Sequence, residues 1–113
     1  MTTRAQSMRG VEQRYERLTR AFVRRPGVTR GGTGFGSGSL KVEGRMFASL
    51  SKRGEFIVKL PRARVDALVK TGDGVPFDPG HGRLMKEWLA VCPDSPLPWE
   101  SLADEALKFA SSG

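Results

Sequence analysis

Residues 31–39, GGTGFGSGS, have the glycine density of a loop that cradles phosphate groups. A dinucleotide-binding loop needs Gly-x-Gly-x-x-Gly between a strand and a helix, but here Ser37 or Ser39 stands where the third glycine is required. A Walker loop needs a Lys-Ser or Lys-Thr pair that opens a helix, and none follows. We therefore predict no phosphate or cofactor site, and interpret the glycines as a hairpin turn or bulge.

The other reactive side chains are isolated in the sequence. His81 lies between two glycines and would titrate near neutral pH if exposed, but Asp78 alone does not complete a triad or a metal-ligand set. Cys92 is the only cysteine, so it forms no internal disulfide, and we interpret it as a small buried side chain. The sequence thus predicts no catalytic residue, no metal site and no cofactor.

The positive charge is concentrated near the N-terminus. The chain has a net charge of +7, and residues 1–30 carry eight Arg against two Glu. Such a segment can bind phosphate backbones through counterion release, or can serve as a solvated helix face. The aromatic residues among these arginines, Tyr15 and Phe22, lie at core spacing, which does not favour a base-stacking platform. The candidate nucleic-acid contacts are Arg17, Arg20, Arg24, Arg25, Arg30, Arg45 and Arg83.

A helix should carry the first of these arginines. Its apolar positions recur at spacings of four, three and four and form one stripe: Val11, Tyr15, Leu18 and Phe22. Glu16 is placed to pair with Arg20, and the helix should end before Pro26. We expect residues 1–6 to form a disordered tail and residues 7–113 to form a single domain.

Strand patterns follow. A short strand should begin at Val28, and a meander should follow over residues 39–43, 45–50 and 55–60. Pro61 should occupy the first position of a central helix, which Gly72 would cap. We interpret residues 72–82 as a long loop anchored by Phe77. Residues 83–91 read as a further strand, and residues 98–110 as the last helix, with Trp99 and Phe109 on its apolar face.

Two segments carry a resemblance to a known family. Residues 34–48, GFGSGSLKVEGRMFA, and residues 54–60, GEFIVKL, resemble the core pattern of the TfoX/Sxy N-terminal-domain family. Pro76-Phe77 and the MKEW of residues 85–88 continue the resemblance over roughly residues 10–111. Where the family usually has Met-Phe-Gly, this chain has TGFG at residues 33–36.

The resemblance implies an α+β fold of two layers. An antiparallel sheet of about five strands would pack against N-terminal, central and C-terminal helices. The glycines would then turn the chain between the first two strands, with Phe35 pointing inward. Full-length TfoX proteins regulate competence for DNA uptake and carry a second domain, which we do not expect after Gly113. The YjbR-type proteins, of related architecture, are often described as DNA-binding, but fold does not fix function.

Three functions remain open. The first is a non-enzymatic regulatory or adaptor domain that binds a protein partner through an exposed sheet face or edge strand. The second is nucleic-acid binding through the basic helix, and the third is an enzyme that uses the loop of His81. We expect a cytoplasmic protein without a secretory signal or membrane span. Whether the chain forms a homodimer is left open.

Overall fold

A computed structural model of the chain describes residues 4–31, 38–51, 53–78 and 85–112. These residues form three helices and six strands. In chain order they are α1 (Arg4–Phe22), β1 (Val28–Arg30), β2 (Leu40–Val42), β3 (Arg45–Leu50), β4 (Phe56–Lys59), α2 (Arg62–Lys70), β5 (Gly74–Phe77), β6 (Met85–Val91) and α3 (Trp99–Ser112).

The six strands form one antiparallel sheet in the order β1-β2-β3-β4-β6-β5. The predicted fold class is confirmed, but the sheet has one strand more than the five expected, because β5 lies in the segment predicted to be a loop. Gly74 and Pro76 disfavour a strand in sequence, yet an edge strand tolerates both. Gly74 is required there, since a Cβ on it would lie 2.8 Å from the carbonyl oxygen of Ala90.

The helices cover one face of the sheet. All three contribute to a large buried cluster, which includes Leu18 of α1, Val65 of α2 and Leu102 of α3. Strand side chains that face the helices, such as Phe56 and Val58, complete the cluster. This is the two-layer α+β arrangement that was predicted.

A second, smaller cluster consists of strand residues alone. Ile57, Phe77, Trp88 and Ala90 are buried together. Ile57 alternates along β4 with two members of the larger cluster, so it points to the opposite face of the sheet. The prediction that Phe77 anchors its segment is confirmed.

Helix α1 begins earlier than predicted. It starts at Arg4, so the last three residues of the expected tail are helical, and residues 1–3 lie outside the described part of the chain. Residues such as Ala5 and Gln6 favour a helix, which explains why it extends beyond the apolar stripe. Tyr15, Leu18 and Phe22 are buried as predicted, and the helix ends before Pro26.

A tight turn and a β-bulge fix the pairing of β2 with β3. The β2–β3 hairpin turns at Glu43 and Gly44, with φ of 52° and 80°, the positive values that a two-residue hairpin turn requires. A bulge opposite Leu40 and Lys41 inserts one extra residue into β3. The bulge explains how Phe47 and Ala48, adjacent in sequence, both join the large cluster.

Helix α2 shows one difference from expectation. Pro61 precedes the first helical residue instead of occupying it. Gly72 follows the C-cap with φ of 81°, and the amides of Gly72 and Asp73 donate to the carbonyls of Val69 and Leu68. This is a Schellman motif, so the predicted role of Gly72 is confirmed.

Candidate binding site

The basic residues were the first candidates for a site, and three of them are exposed on or just after α1. Arg17, Arg20 and Arg24 all lie at the surface. The predicted pair of Arg20 with Glu16 is long, at 3.9 Å, and the side chain of Arg20 is 77% exposed. No hydrogen bond or ion pair among the described residues involves Arg17 or Arg24, so these two cations face solvent.

Arg25 and Arg30 bind carboxylates on other elements. Arg25 donates to Oδ1 of Asp104 at 2.5 Å, and its guanidinium lies 4.2 Å from the centroid of the Phe22 ring. Arg30 donates to both carboxylate oxygens of Glu16, at 2.9 and 2.7 Å. The Arg30 hydrogen bond lowers the pKa of Glu16, and the Arg25 hydrogen bond lowers that of Asp104. Both arginines therefore hold elements of the fold together.

Arg45, the remaining candidate that the structure describes, contacts α3 and not the basic helix. Arg45 donates to the carbonyl of Ala110 near the end of α3 at 3.1 Å, and Arg83 lies outside the described residues. Among the candidate contacts that the structure describes, Arg17, Arg20 and Arg24 are thus the exposed cations that no close ion pair holds.

The glycine-rich segment connects two paired strands. Arg30 pairs with Leu40, and the amide of Gly31 donates to the carbonyl of Ser39 at 2.5 Å. The buried hydroxyl of Tyr15 donates to the carbonyl of Gly38 at 2.7 Å. Burial raises the pKa of this hydroxyl, because it disfavours the phenolate. A hairpin was predicted here and is confirmed; residues 32–37, including Phe35, lie outside the described part of the chain.

Of the two isolated reactive residues His81 and Cys92, the structure describes only Cys92. His81 lies outside the described residues, and Cys92 is half-buried after β6. Within residues 4–31, 38–51, 53–78 and 85–112, no group of three or more His, Cys, Asp or Glu could hold a metal ion.

A recess that the sequence did not reveal lies where helices α1 and α3 meet strands β4, β5 and β6. Its volume is about 480 Å³, and we call it the Trp99 recess. Helix α1 provides one wall with Gly10, Val11 and Arg14. The other walls come from residues 53–56, Val75, residues 90–93 and Trp99. Val75 of the edge strand lines the recess and is 49% exposed.

Three stacked groups form the side of the recess next to α3. The rings of Phe56 and Trp99 are stacked, with centroids 4.3 Å apart and planes 14° apart. The guanidinium of Arg14 lies over the Trp99 ring, 4.2 Å from its centroid. A cation over an indole face is attracted by the ring quadrupole. Trp99 thereby positions a positive charge at the recess.

The two arginines of the recess differ in their contacts. Arg53 pairs with Glu55 at 3.0 Å and donates to the carbonyl of Asp78. Arg14 takes part in no hydrogen bond or ion pair among the described residues. All twelve Asp and Glu lie within the described ranges, and none of these carboxylates forms an ion pair with Arg14.

Comparison with family models, with curated proteins and with solved structures finds no match to this chain. The resemblance to the TfoX N-terminal-domain family stays a prediction that rests on the residues quoted for it. No helix in the described part of the chain is long and apolar enough to cross a membrane.

The sequence held a weak signal for this recess. Trp99 belongs to the apolar face of α3 and is buried as predicted, but its contact with Arg14 joins residues distant in the chain. Arg14 flanks the apolar stripe of α1, and a long cation beside such a stripe often lies along apolar surface. Gly10 provides a second hint, because a helical glycine leaves space beside the backbone.

Proposed function

We propose that this chain is a non-enzymatic regulatory or adaptor domain that acts through protein contacts, and that the Trp99 recess is its contact surface. The observation that supports this proposal is the recess. Its volume of about 480 Å³ lies within the range of roughly 300–1,000 Å³ that ligand sites occupy. Its wall combines apolar groups, such as Val75 and Pro93, with a small number of charged ones.

The sheet edges favour the recess over strand addition. β5 forms one edge, and Pro76 deprives it of a backbone donor in a strand of four residues. β1 forms the other edge and has only three residues, of which Arg30 is held by Glu16. Short edges that contain proline resist pairing with another chain. A partner that docks through side chains is therefore favoured.

Peptide selection tests the proposal. A displayed library of random peptides would be panned on the wild-type protein, and the selected peptides would be measured on Gly10→Trp. A Cβ at Gly10 meets no atom within 4 Å, so the indole can cover the mouth of the recess without disturbing the core. Gln13→Trp, an exposed position on α1 outside the recess, is the matched control.

We expect the selected peptides to bind Gly10→Trp at least tenfold more weakly, a difference of about 1.4 kcal/mol, and Gln13→Trp as tightly as wild type. Failure to enrich any peptide would overturn the proposed function. Equal binding to all three proteins would place the contact surface elsewhere.

Nucleic-acid binding is the second candidate, favoured by the solvent-facing Arg17, Arg20 and Arg24. A mobility-shift titration with generic duplex DNA at two salt concentrations tests it. Phosphate contacts predict affinity that falls linearly in log salt. The triple substitution of these arginines by glutamine should then remove binding, whereas no shift at low salt would end this candidate.

We also place the protein in the cytoplasm. A single cysteine, which leaves no internal disulfide, fits a reducing compartment. Fractionation of cells that express the tagged chain tests this, and recovery in a membrane or secreted fraction would contradict it.

A further inference from the structure

We infer that the Trp99 recess binds an acidic segment of a partner protein, in which an apolar side chain enters the recess and a neighbouring carboxylate pairs with Arg14. This inference rests on the proposed function and names the chemistry of the partner.

The contacts of Arg14 carry the first step. A guanidinium has five N–H donors, and a ring face beneath it satisfies none of them in the plane of the group. Arg25, Arg30 and Arg64, by contrast, each donate to a carboxylate on another element. The Arg14 guanidinium lies over the Trp99 ring but has no such acceptor among the described residues. A carboxylate from a partner protein would supply this acceptor and could bind the guanidinium in bidentate geometry.

The second step concerns the apolar part of the site. Phe56 stacks on Trp99 and the Arg14 guanidinium also lies over the indole, so both ring faces are already in contact. The surface left for a partner includes aliphatic side chains: Val75, Val91 and Pro93 all line the recess, and Val75 is 49% exposed. Such a wall suits a leucine or phenylalanine side chain, which gains affinity by burial.

The positive charge of the protein favours acidic partner segments. The chain has a net charge of +7, which accelerates association with acidic partners and opposes basic ones. Within the recess, Glu55 is held by Arg53 at 3.0 Å and accepts from the Ser51 hydroxyl at 3.1 Å, so its charge is compensated. The uncompensated charge in the lining is that of Arg14, which favours an anionic group.

Two synthetic peptides test the inference. One is acetyl-Asp-Glu-Leu-Phe-Asp-amide, and the other replaces each acidic residue by its amide, Asn or Gln. Binding would be followed by NMR at the Trp99 indole N–H and the backbone amides of Gly10 and Gly54. We expect the acidic peptide to shift these signals and to bind at least tenfold more tightly than the amide peptide.

Variants of arginine assign the effect to one residue. Arg14→Gln should bring the two peptides to equal affinity, whereas Arg17→Gln removes the same charge outside the recess and should preserve the tenfold difference. Arg14→Lys keeps the charge without the planar guanidinium, so it should retain part of the tenfold difference between the two peptides. The comparison of the two peptides on wild type needs no variant, so it stands even if Arg14→Gln fails to fold.

The outcomes separate this inference from the proposed function. If both peptides bind equally at the recess, the acidic partner is wrong but the recess remains a contact surface. If the tenfold difference persists in Arg14→Gln, or if neither peptide shifts any signal at millimolar concentration, the inference is overturned. The library selection then decides independently whether the recess binds peptides at all.

Discussion

The guanidinium of Arg30 lies in the space that a side chain at Gly38 would need. A Cβ on Gly38 would overlap Nε of Arg30 and lie 2.8 Å from its Nη2. Gly38 also has φ of 93°, in the left-handed region that glycine favours. The same guanidinium forms the bidentate pair with Glu16, so this glycine and the ion pair depend on each other.

Gly38→Ala should lower the free energy of unfolding by about 2–3 kcal/mol, because backbone strain and steric overlap act together. Gly44→Ala is the matched control, since Gly44 has φ of 80° but open space around its Cα. Strain alone should cost about 1–2 kcal/mol there. Urea denaturation measures both. In an Arg30→Ala background the cost at Gly38 should fall to that at Gly44, and an unchanged cost would contradict the overlap.

Tyr15→Phe should lower the free energy of unfolding by about 1–2 kcal/mol. The substitution removes the buried hydroxyl that donates to the carbonyl of Gly38 and leaves that acceptor without this donor. Urea denaturation measures the loss, and hydrogen exchange at Gly31 should accelerate because its bond to Ser39 closes the same hairpin. Unchanged stability and exchange would show that the hydroxyl does not hold this connection.

Acid should destabilise the protein through its paired carboxylates. Hydrogen bonds from Arg30, and from Arg25 and Lys108, lower the pKa of Glu16 and Asp104 in the folded state. These two carboxylates therefore contribute fully to the free energy of unfolding at pH values above their pKa in the unfolded chain, roughly 4.3 for Glu and 3.9 for Asp. The contribution is lost as the pH falls through their lowered pKa values in the folded protein. Denaturation between pH 6 and about pH 2.5 measures the decline. Glu16→Gln should flatten part of it, and an equally steep decline would contradict its pairing.

Gly10→Ala should raise the free energy of unfolding by about 0.5–1 kcal/mol. Glycine within a helix loses more backbone entropy on folding than alanine does, and a Cβ at this position meets no atom within 4 Å. Thermal or urea denaturation measures the gain. A loss of stability would show that the start of α1 does not follow the helical path described here, and would remove the basis for the Gly10→Trp variant.

Periodicity in the sequence predicted the elements that bury one face. The stripe of Tyr15, Leu18 and Phe22 and the alternation over residues 39–43, which contain β2, reflect contacts with a core, and both were predicted correctly. β5 was missed because Gly74 and Pro76 are rare in strands, and only pairing with β6 reveals why they fit.

The candidate site was much less accessible from sequence. Glu16 was expected to pair with Arg20, four residues later on the same helix. Its closer partner is Arg30, which lies on strand β1. Pairs between distant elements, such as Arg25 with Asp104, leave no periodic signal. The Trp99 recess depends on the meeting of five elements, so no single stretch of sequence could predict it.

The order of the strands divides the sheet into two locally connected parts. Strands β1 to β4 pair with their neighbours in sequence, as do β5 and β6, and only the β4–β6 ladder joins the two parts. Its pairs, such as Lys59 with Trp88, close the longest loop in the sheet and incur the largest closure entropy. The rate at which this protein folds should therefore be set where β4 meets β6, whereas the two halves assemble through short-range contacts.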